Sequence, residues 1–131
     1  MPPEFIQPMV LYGIRVDEVE RGRILCSYAV PPRLLNAGNS TLHGGAIVTL
    51  VDLIGAAAIS STGAVLSGVA IDIGVSYLDG ASVGEEIEIE AKALKVGRGI
   101  GVVTVEFRRK RTRKVIALGR HTTYLFASSK L

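Results

Sequence analysis

The stretch that most constrains this chain runs from Leu42 to Gly63, with the sequence LHGGAIVTLVDLIGAAAISSTG. Its alanines and leucines favour a helix, its length allows about four or five turns, and Gly63 is a typical helix stop. Apolar side chains fall on nearly the whole circumference, which predicts a buried helix. One charged residue, Asp52, lies in the middle, and a carboxylate in such surroundings is costly unless it is paired or has a function.

Alternating apolar and polar residues on both sides of this helix predict β-strands. The runs are residues 23–30 before the helix and residues 65–78, 86–96, 100–109 and 115–126 after it. Short turn sequences separate the later runs, which favours an antiparallel meander, and residues 16–22 are expected to form an acidic turn. The expected fold class is α+β, with a long central helix wrapped by an antiparallel sheet of five or six strands.

The length of 131 residues fits one domain, with residues 1–9 as a loose arm and residues 127–131 as an exposed tail. The net charge of +3 is only mildly basic, so it permits an anionic ligand without indicating nucleic acid. One cysteine and two histidines favour neither a disulfide framework nor a metal site. No signal peptide is expected at the start, and a helix that carries Asp52 is not expected to cross a membrane.

Two further segments, a basic run and the last three residues, bear on binding partners and location. The basic run Arg108-Arg109-Lys110-Arg111, followed by Arg113 and Lys114, falls between two apolar strands without stacking aromatics, so we expect a solvated hairpin tip rather than a nucleic-acid patch. The sequence ends in Ser129-Lys130-Leu131, which is the peroxisomal import signal when it stands at a carboxyl terminus. We therefore expect recognition by the peroxisomal import receptor, with a cytoplasmic location as the alternative.

The residues that open the helix indicate chemistry. The backbone N–H groups of Gly44 and Gly45 have no partners within a helix and lie at the positive end of its dipole. A carbonyl oxygen placed there would be polarised as in an oxyanion hole, and the missing side chains allow a substrate to approach closely. A carboxylate such as Asp52 can activate water or act as a nucleophile.

Several motifs in this order resemble the hot-dog fold, and more narrowly the small acyl-CoA thioesterases of the phenylacetate-degradation type and the thioesterase superfamily member 2 group. The resemblance extends from about Arg15 to about Phe126. The matching pieces are Asn36, Leu42-His43-Gly44-Gly45, Thr49-Leu50-Val51-Asp52, Val69-Ala70-Ile71-Asp72, Ser76-Tyr77, Gly84-Glu85, Leu94-Lys95-Val96-Gly97-Arg98 and Gly119-Arg120-His121-Thr122.

The resemblance implies catalytic roles for particular residues. It makes Asp52 the general base or nucleophile and Gly44 the N–H donor to the thioester carbonyl. It also implies a second donor, for which we prefer Asn36 over Asn39 because Asn-Ala matches locally. His43 is expected to stabilise the loop or the cap, with a direct catalytic role as the alternative.

Coenzyme A needs cations and backbone donors for its phosphates. The segment Lys95-Val96-Gly97-Arg98-Gly99 has two cations around a glycine turn, which suits a phosphate. The resemblance adds Gly45, Tyr77, Gly80, Ala81, Ser82 and Tyr124 as substrate-binding residues.

The chain departs from the family at Ala70, where closer relatives have a water-orienting serine. An alanine side chain cannot form a hydrogen bond, so another group, such as Ser67 or Ser76, would have to hold the water.

The resemblance thus implies an acyl-CoA thioesterase that needs no metal or organic cofactor. It also implies a homodimer with shared active sites, and a homotetramer of two such dimers. Two alternatives remain: a hot-dog hydratase or dehydratase acting on CoA esters, and a non-catalytic acyl-CoA-binding protein, which Ala70 favours.

Overall fold

The computed structural model describes residues 9–38, 40–63 and 66–127. Residues 9–11 are helical and Val10 is buried, so the loose arm expected over residues 1–9 is wrong for Met9, and residues 1–8 lie outside the described residues. The elements that follow are β1 (Arg15–Glu20), β2 (Arg23–Ala29), a 3-10 turn (Pro32–Leu34), α1 (Gly44–Ser60), β3 (Leu66–Tyr77), β4 (Glu86–Val96), β5 (Ile100–Arg109) and β6 (Val115–Ala127).

The strands form one six-stranded antiparallel sheet in the order β1-β2-β4-β5-β6-β3. The acidic turn expected at residues 16–22 is wrong, since most of this segment belongs to β1, which pairs with β2. Its acidic composition fits an edge strand because the side chains are exposed, and Glu18 and Glu20 both accept hydrogen bonds from Arg23 Nη1 at 2.8 and 2.9 Å.

The expected meander is correct for β4, β5 and β6 but wrong for β3, which pairs with β6 at the far edge of the sheet. Residues 78–85 carry the chain from β3 to β4; we call them the crossover loop. The Asp79-Gly80 pair is therefore the start of a long connection and not a two-residue hairpin. The loop passes the start of the helix, where Leu42 N donates to Ala81 O at 2.9 Å.

Helix α1 packs against β2 to β6 and buries one face rather than its whole circumference. The buried residues are Ala46, Ile47, Leu50, Val51, Ile54, Gly55, Ala58 and Ile59. Ala56 and Ala57 are exposed, and Val48 and Leu53 are half-buried. The apolar flank expected to be buried is thus left uncovered by this one chain. None of the described helices is long and apolar enough to span a bilayer.

The basic run lies partly in the sheet rather than wholly at a solvated tip, which corrects the expectation for Arg108 and Arg109. Arg108 is only 7% exposed because the alternation of β4 and β5 places it among outward-facing glutamates. Its guanidinium contacts Glu88, Glu90 and Glu106 at 3.0, 2.9 and 3.0 Å. The charge of Arg108 is therefore neutralised by three glutamates on the outer face of the sheet.

Glycine allows the closest approach between the helix and β6. A Cβ atom on Gly119 would lie 2.6 Å from Val51 Cγ2, and Val51 is fully buried. A real Cβ atom cannot be accommodated at that distance unless the helix or the strand moves.

We predict that Gly119→Ala lowers the free energy of unfolding by about 1–3 kcal/mol, because overpacking outweighs the smaller loss of chain entropy. Urea denaturation measures this, and Val51→Ala in the same chain should recover part of the loss. Gly74→Ala is the matched control, since nothing lies within 4 Å of its added Cβ. Equal stabilities for the two alanine variants would contradict the packing argument.

Candidate functional site

The start of α1 leaves one backbone donor free. His43 caps the helix, and its Nδ1 accepts a hydrogen bond from Gly45 N at 2.8 Å. The next two N–H groups, of Ala46 and Ile47, both donate to His43 O, at 3.0 and 3.2 Å. Within the described part of the chain, Gly44 N has no acceptor. The structure therefore distinguishes the two glycines: the N–H of Gly45 is used by the cap, and that of Gly44 is available to a ligand.

The capping bond also defines the role of His43. Its Nδ1 is the acceptor in this bond, so that ring nitrogen is engaged in the helix cap. The structure thus places His43 as a cap, which is the role expected for it.

A cleft of about 620 Å³ lies beside Gly44. It brings together the predicted residues Asn36, Gly44, Gly45, Tyr77, Gly80 and Ala81. Asn36 Nδ2 lies 3.2 Å from Thr41 Oγ1 and 3.4 Å from Leu42 O, which orients the amide in the loop before the helix. Tyr77 Oη donates to Gly44 O at 2.9 Å and so fixes the first helical residue. Asn39 lies outside the described residues.

Asp52 lies two turns further along the helix, in a different and smaller cavity of about 110 Å³. Its side chain is 49% exposed, so the expectation of a carboxylate embedded in apolar surroundings is wrong for a single chain. The reason is that Asp52 lies on the flank of α1 that the sheet does not cover. One Asp52 oxygen, Oδ1, lies 3.5 Å from His121 Nε2.

His121 is the polar residue that reasoning from the sequence did not assign to the site. It is 2% exposed on β6, its Nε2 lies 3.1 Å from Thr123 Oγ1, and its Nδ1 has no hydrogen-bond partner among the described residues. Burial lowers the pKa of His121, and the carboxylate of Asp52 partly opposes this shift. The imidazole is therefore neutral at pH 7.

A signal for His121 was present in the sequence. The inward-facing positions of β6 alternate, and His121 shares their parity with Gly119 and Ala117. Since a strand repeats every two residues, a histidine at this position must face the helix.

Ser76 does not take the place of the water-orienting serine that relatives have at the position of Ala70. Ala70 lines the Asp52 cavity, whereas Ser76 pairs with Leu118 on the outer face of the sheet. The side chain of Ser67 lies outside the described residues. Hydroxyl groups in this cavity come instead from Thr123 and Ser60.

The remaining predicted binding residues lie elsewhere in the chain. Lys95 lies near the end of β4, and Gly97, Arg98 and Gly99 form the tip of the β4–β5 hairpin, closed by Gly97 N donating to Ile100 O at 2.8 Å. This hairpin lies near the carboxyl end of α1, where a Cβ on Gly101 would meet Ile59, while Val96 packs against the core. Tyr124 is exposed on the outer face, and Ser82 pairs with Thr41 in an isolated bridge.

The helix keeps the two reactive groups apart within one chain. Gly44 and Asp52 are eight residues apart, which corresponds to about 12 Å along the axis. A donor to a carbonyl oxygen and a base for the attacking water must lie within hydrogen-bond reach of one small reacting group. The helix therefore holds a free N–H donor and a carboxylate too far apart to act on one reacting group within a single chain. The described residues contain no cluster of three metal-ligating side chains.

Comparison with known proteins identifies the family. A family model described as "Thioesterase superfamily" matches residues 39–116. Human acyl-coenzyme A thioesterase 13 is 38% identical over 116 residues, which cover 88% of this chain and 82% of that protein.

Solved structures agree with this match. The structure of zebrafish thioesterase superfamily member 2 has a TM-score of 0.89 and 38% identity, and the match covers 95% of this chain and 88% of that one. A Streptococcus mutans protein bound to acetyl CoA has a TM-score of 0.81 at 24% identity, with 90% and 92% coverage, which shows the shared fold. The hot-dog fold expected from the sequence is thus confirmed.

The contact between Asp52 and His121 can be tested by titration. We predict that Asp52→Asn lowers the pKa of His121 further, because it removes the carboxylate that stabilises the imidazolium. Long-range ¹H–¹⁵N spectra recorded against pH measure this directly, and the exposed His43 supplies the second imidazole signal as an internal reference. A pKa of His121 that stays constant or rises in the variant would show that the two groups do not interact.

Proposed function

Because the chain belongs to the thioesterase superfamily, we propose that it hydrolyses acyl-CoA thioesters to a free acid and coenzyme A, with Gly44 of one protomer and Asp52 of its partner forming each site. The prediction of a thioester hydrolase is confirmed by the family match and by the acyl-CoA thioesterase 13 relatives. The roles of the residues are the proposal.

The observation that carries this proposal is the free N–H of Gly44 beside an open cleft. Attack on a thioester places negative charge on the carbonyl oxygen, and an unpaired donor at the positive end of a helix stabilises that charge. Asn36 lines the same cleft and is the proposed second donor, a role in which its Nδ2 group exchanges the long bond to Leu42 O for one to the substrate. Gly45 cannot serve in this arrangement because its N–H donates to His43.

The proposed reaction uses Asp52 at the other half of the site. As a general base, the carboxylate takes a proton from water, and the resulting hydroxide attacks the carbonyl carbon. The tetrahedral oxyanion is held by Gly44 N–H, and its collapse breaks the C–S bond and releases the thiolate of coenzyme A, which takes up a proton. As a nucleophile, Asp52 would instead attack the carbonyl carbon and expel the thiolate of coenzyme A to form a mixed anhydride, which water then hydrolyses to the free acid and the original Asp52 carboxylate.

His121 is proposed to orient Asp52. A carboxylate only accepts hydrogen bonds, so an interaction between them requires the proton on Nε2 of His121, and burial favours the neutral ring. The Thr123 hydroxyl, 3.1 Å from the same nitrogen, is the proposed water-holding group in the absence of a serine at Ala70.

A homodimer explains how the two halves meet. Strand β3 lies at an edge of the sheet with unpaired backbone groups, and its Val69 and Ile71 are each 56% exposed. The flank of α1 beside Asp52 is also uncovered. A second copy placed across this edge would cover both surfaces and bring Gly44 of one chain toward Asp52 of the other. Leu118 and Tyr124, exposed on the outer face, support a further pairing of dimers into a tetramer.

Coenzyme A is proposed to lie between the crossover loop and the β4–β5 hairpin of different protomers. Lys95 and Arg98 on that hairpin make no ion pair with any residue the structure describes, so both cations are available to phosphate. Tyr77, Gly80, Ala81 and Ser82 would contact the pantetheine arm, and Tyr124 would lie beside the nucleotide.

Ala70 favours a second candidate function, non-catalytic binding of acyl-CoA. Without a serine at this position, a bound ester could be held and not hydrolysed. A hydratase or dehydratase gains no support, since His43 is used as a cap. A thiol-trapping assay with a panel of aliphatic and aromatic acyl-CoAs distinguishes hydrolysis from binding alone.

The peroxisomal location stays a prediction. Ser129, Lys130 and Leu131 lie outside the described residues, and the signal applies where Leu131 is the carboxyl terminus. A fluorescent protein fused ahead of this chain should enter peroxisomes and should stay in the cytosol when Leu131 is deleted.

We predict that Asp52→Asn lowers turnover of acyl-CoA by about 100-fold or more, because the amide cannot accept a proton from water. Asn has nearly the same shape, so the urea denaturation curve should be unchanged. Asp72→Asn is the matched control on the opposite face of β3, with turnover expected within about twofold of wild type. Full activity of Asp52→Asn would refute the assignment of the base.

A further inference from the structure

One arginine of the basic run holds the crossover loop at three points. Arg109 Nε donates to Glu85 Oε2 at 2.6 Å, Nη1 donates to Asp79 Oδ2 at 3.0 Å, and Nη2 donates to Gly80 O at 2.6 Å. The side chain is only 19% exposed. A planar guanidinium with several fixed donors suits this arrangement, whereas a lysine could not make all three bonds in one geometry.

The loop that Arg109 holds is itself bonded to the segment before the helix. Leu42 N donates to Ala81 O at 2.9 Å, and Thr41 pairs with Ser82. Packing is tight at this contact, since a Cβ on Gly80 would lie 2.7 Å from Thr41 Cγ2. A displacement of the loop would therefore displace Thr41 and Leu42, the residues that lead to the helix cap.

The same loop follows directly on Tyr77, whose hydroxyl donates to Gly44 O at 2.9 Å. Gly44 is thus connected to the crossover loop in two ways. Leu42, two residues before it, is hydrogen-bonded to the loop, and Tyr77, which bonds Gly44 itself, directly precedes the loop. Both connections reach the part of the loop that Arg109 holds. The cleft beside Gly44 is walled by Leu78, Asp79, Gly80 and Ala81 from this loop.

We propose that Arg109 is a positioning residue for substrate, which holds the crossover loop as the wall against which the coenzyme A portion of the thioester binds. This inference rests on the proposed function and deepens it. Arg109 touches no reacting atom. Its effect is on the affinity of the cleft for the CoA ester, so it should affect KM more than kcat.

Electrostatic attraction supports the ion pair between Arg109 and Asp79. Hydrogen bonding by Gly80 N–H and by Arg109 lowers the pKa of Asp79, so its carboxylate is ionised at neutral pH. Lys114 Nζ lies 3.6 Å from the same carboxylate, but it is largely exposed and contacts the loop at this one place. Arg109 is therefore the side chain that ties the two ends of the loop together.

The test compares Arg109→Gln with Arg113→Gln. Arg113 belongs to the same basic segment and loses the same charge, but it bonds Glu88 at 2.7 Å, away from the loop. Amide hydrogen exchange, steady-state hydrolysis of an acyl-CoA and calorimetric binding of coenzyme A are measured for each variant. Glu85→Gln, which removes one acceptor of Arg109, is a second variant in case Arg109→Gln folds poorly.

For Arg109→Gln we expect amide exchange about fivefold or more faster at Leu42 and across residues 80–85, with exchange in β4 and β5 unchanged. KM for the acyl-CoA and Kd for coenzyme A should both rise about tenfold, while kcat stays within about threefold. Arg109→Lys should recover part of the affinity, and Glu85→Gln should reproduce the faster exchange. Arg113→Gln should behave as wild type in all three measurements.

Unchanged exchange at the loop in Arg109→Gln would overturn the proposal. So would faster exchange with unchanged KM and Kd, or equal effects in Arg113→Gln. A wild-type protein that neither hydrolyses acyl-CoA nor binds coenzyme A would refute the proposed function instead, and the exchange comparison would still decide whether Arg109 holds the loop.

Discussion

The rigidity of one helix is the constraint on which this site depends. An α-helix rises by a fixed amount per residue, so Gly44 at its first turn and Asp52 two turns later are held about 12 Å apart. Neither group can move toward the other without unfolding the helix. A single chain therefore presents the free N–H of Gly44 at one place and the carboxylate of Asp52 at another, and the proposed dimer joins them across the uncovered flank of the helix and the edge of the sheet.

Different local contacts position the N–H of Gly44 and the carboxylate of Asp52. The His43 side chain accepts the N–H of Gly45 and leaves the N–H of Gly44 free among the described residues, so this N–H can donate to a ligand. On the other half, the buried ring of His121 packs against Gly55, and its Nε2 lies 3.5 Å from the carboxylate of Asp52, whose side chain is half exposed. The first arrangement lies at the exposed start of the helix, whereas the second belongs to the inner face of the sheet, where His121 is buried.

Sequence reasoning succeeded where the information was local. The alternation of β4 and β5 gave their bounds directly, and His43-Gly44-Gly45 marked the start of the helix. It failed where a feature depends on the strands or helices that pack against a segment. Strand β1 was predicted as an acidic turn because its composition does not show that it pairs with β2. Strand β3 was expected beside β4 because the order of strands in a sheet depends on tertiary contacts.

His121 could have been found from the parity of β6. The exposure of Asp52 could not, since periodicity does not say which flank of an apolar helix the sheet covers.

The central claim is that each site is built from two protomers, and mixing two inactive variants tests it most directly. Gly44→Pro removes the backbone N–H at a first helical position preceded by His43 with φ −64° and ψ 134°, a conformation that proline accepts, and it adds ring atoms beside Tyr77, which lies 3.4 Å from the position of a Cβ. Mixed with Asp52→Asn by joint refolding, it should restore about a quarter of wild-type turnover, because about half of the dimers are mixed and each of these retains one intact site. No recovery above the two variants alone would contradict the account.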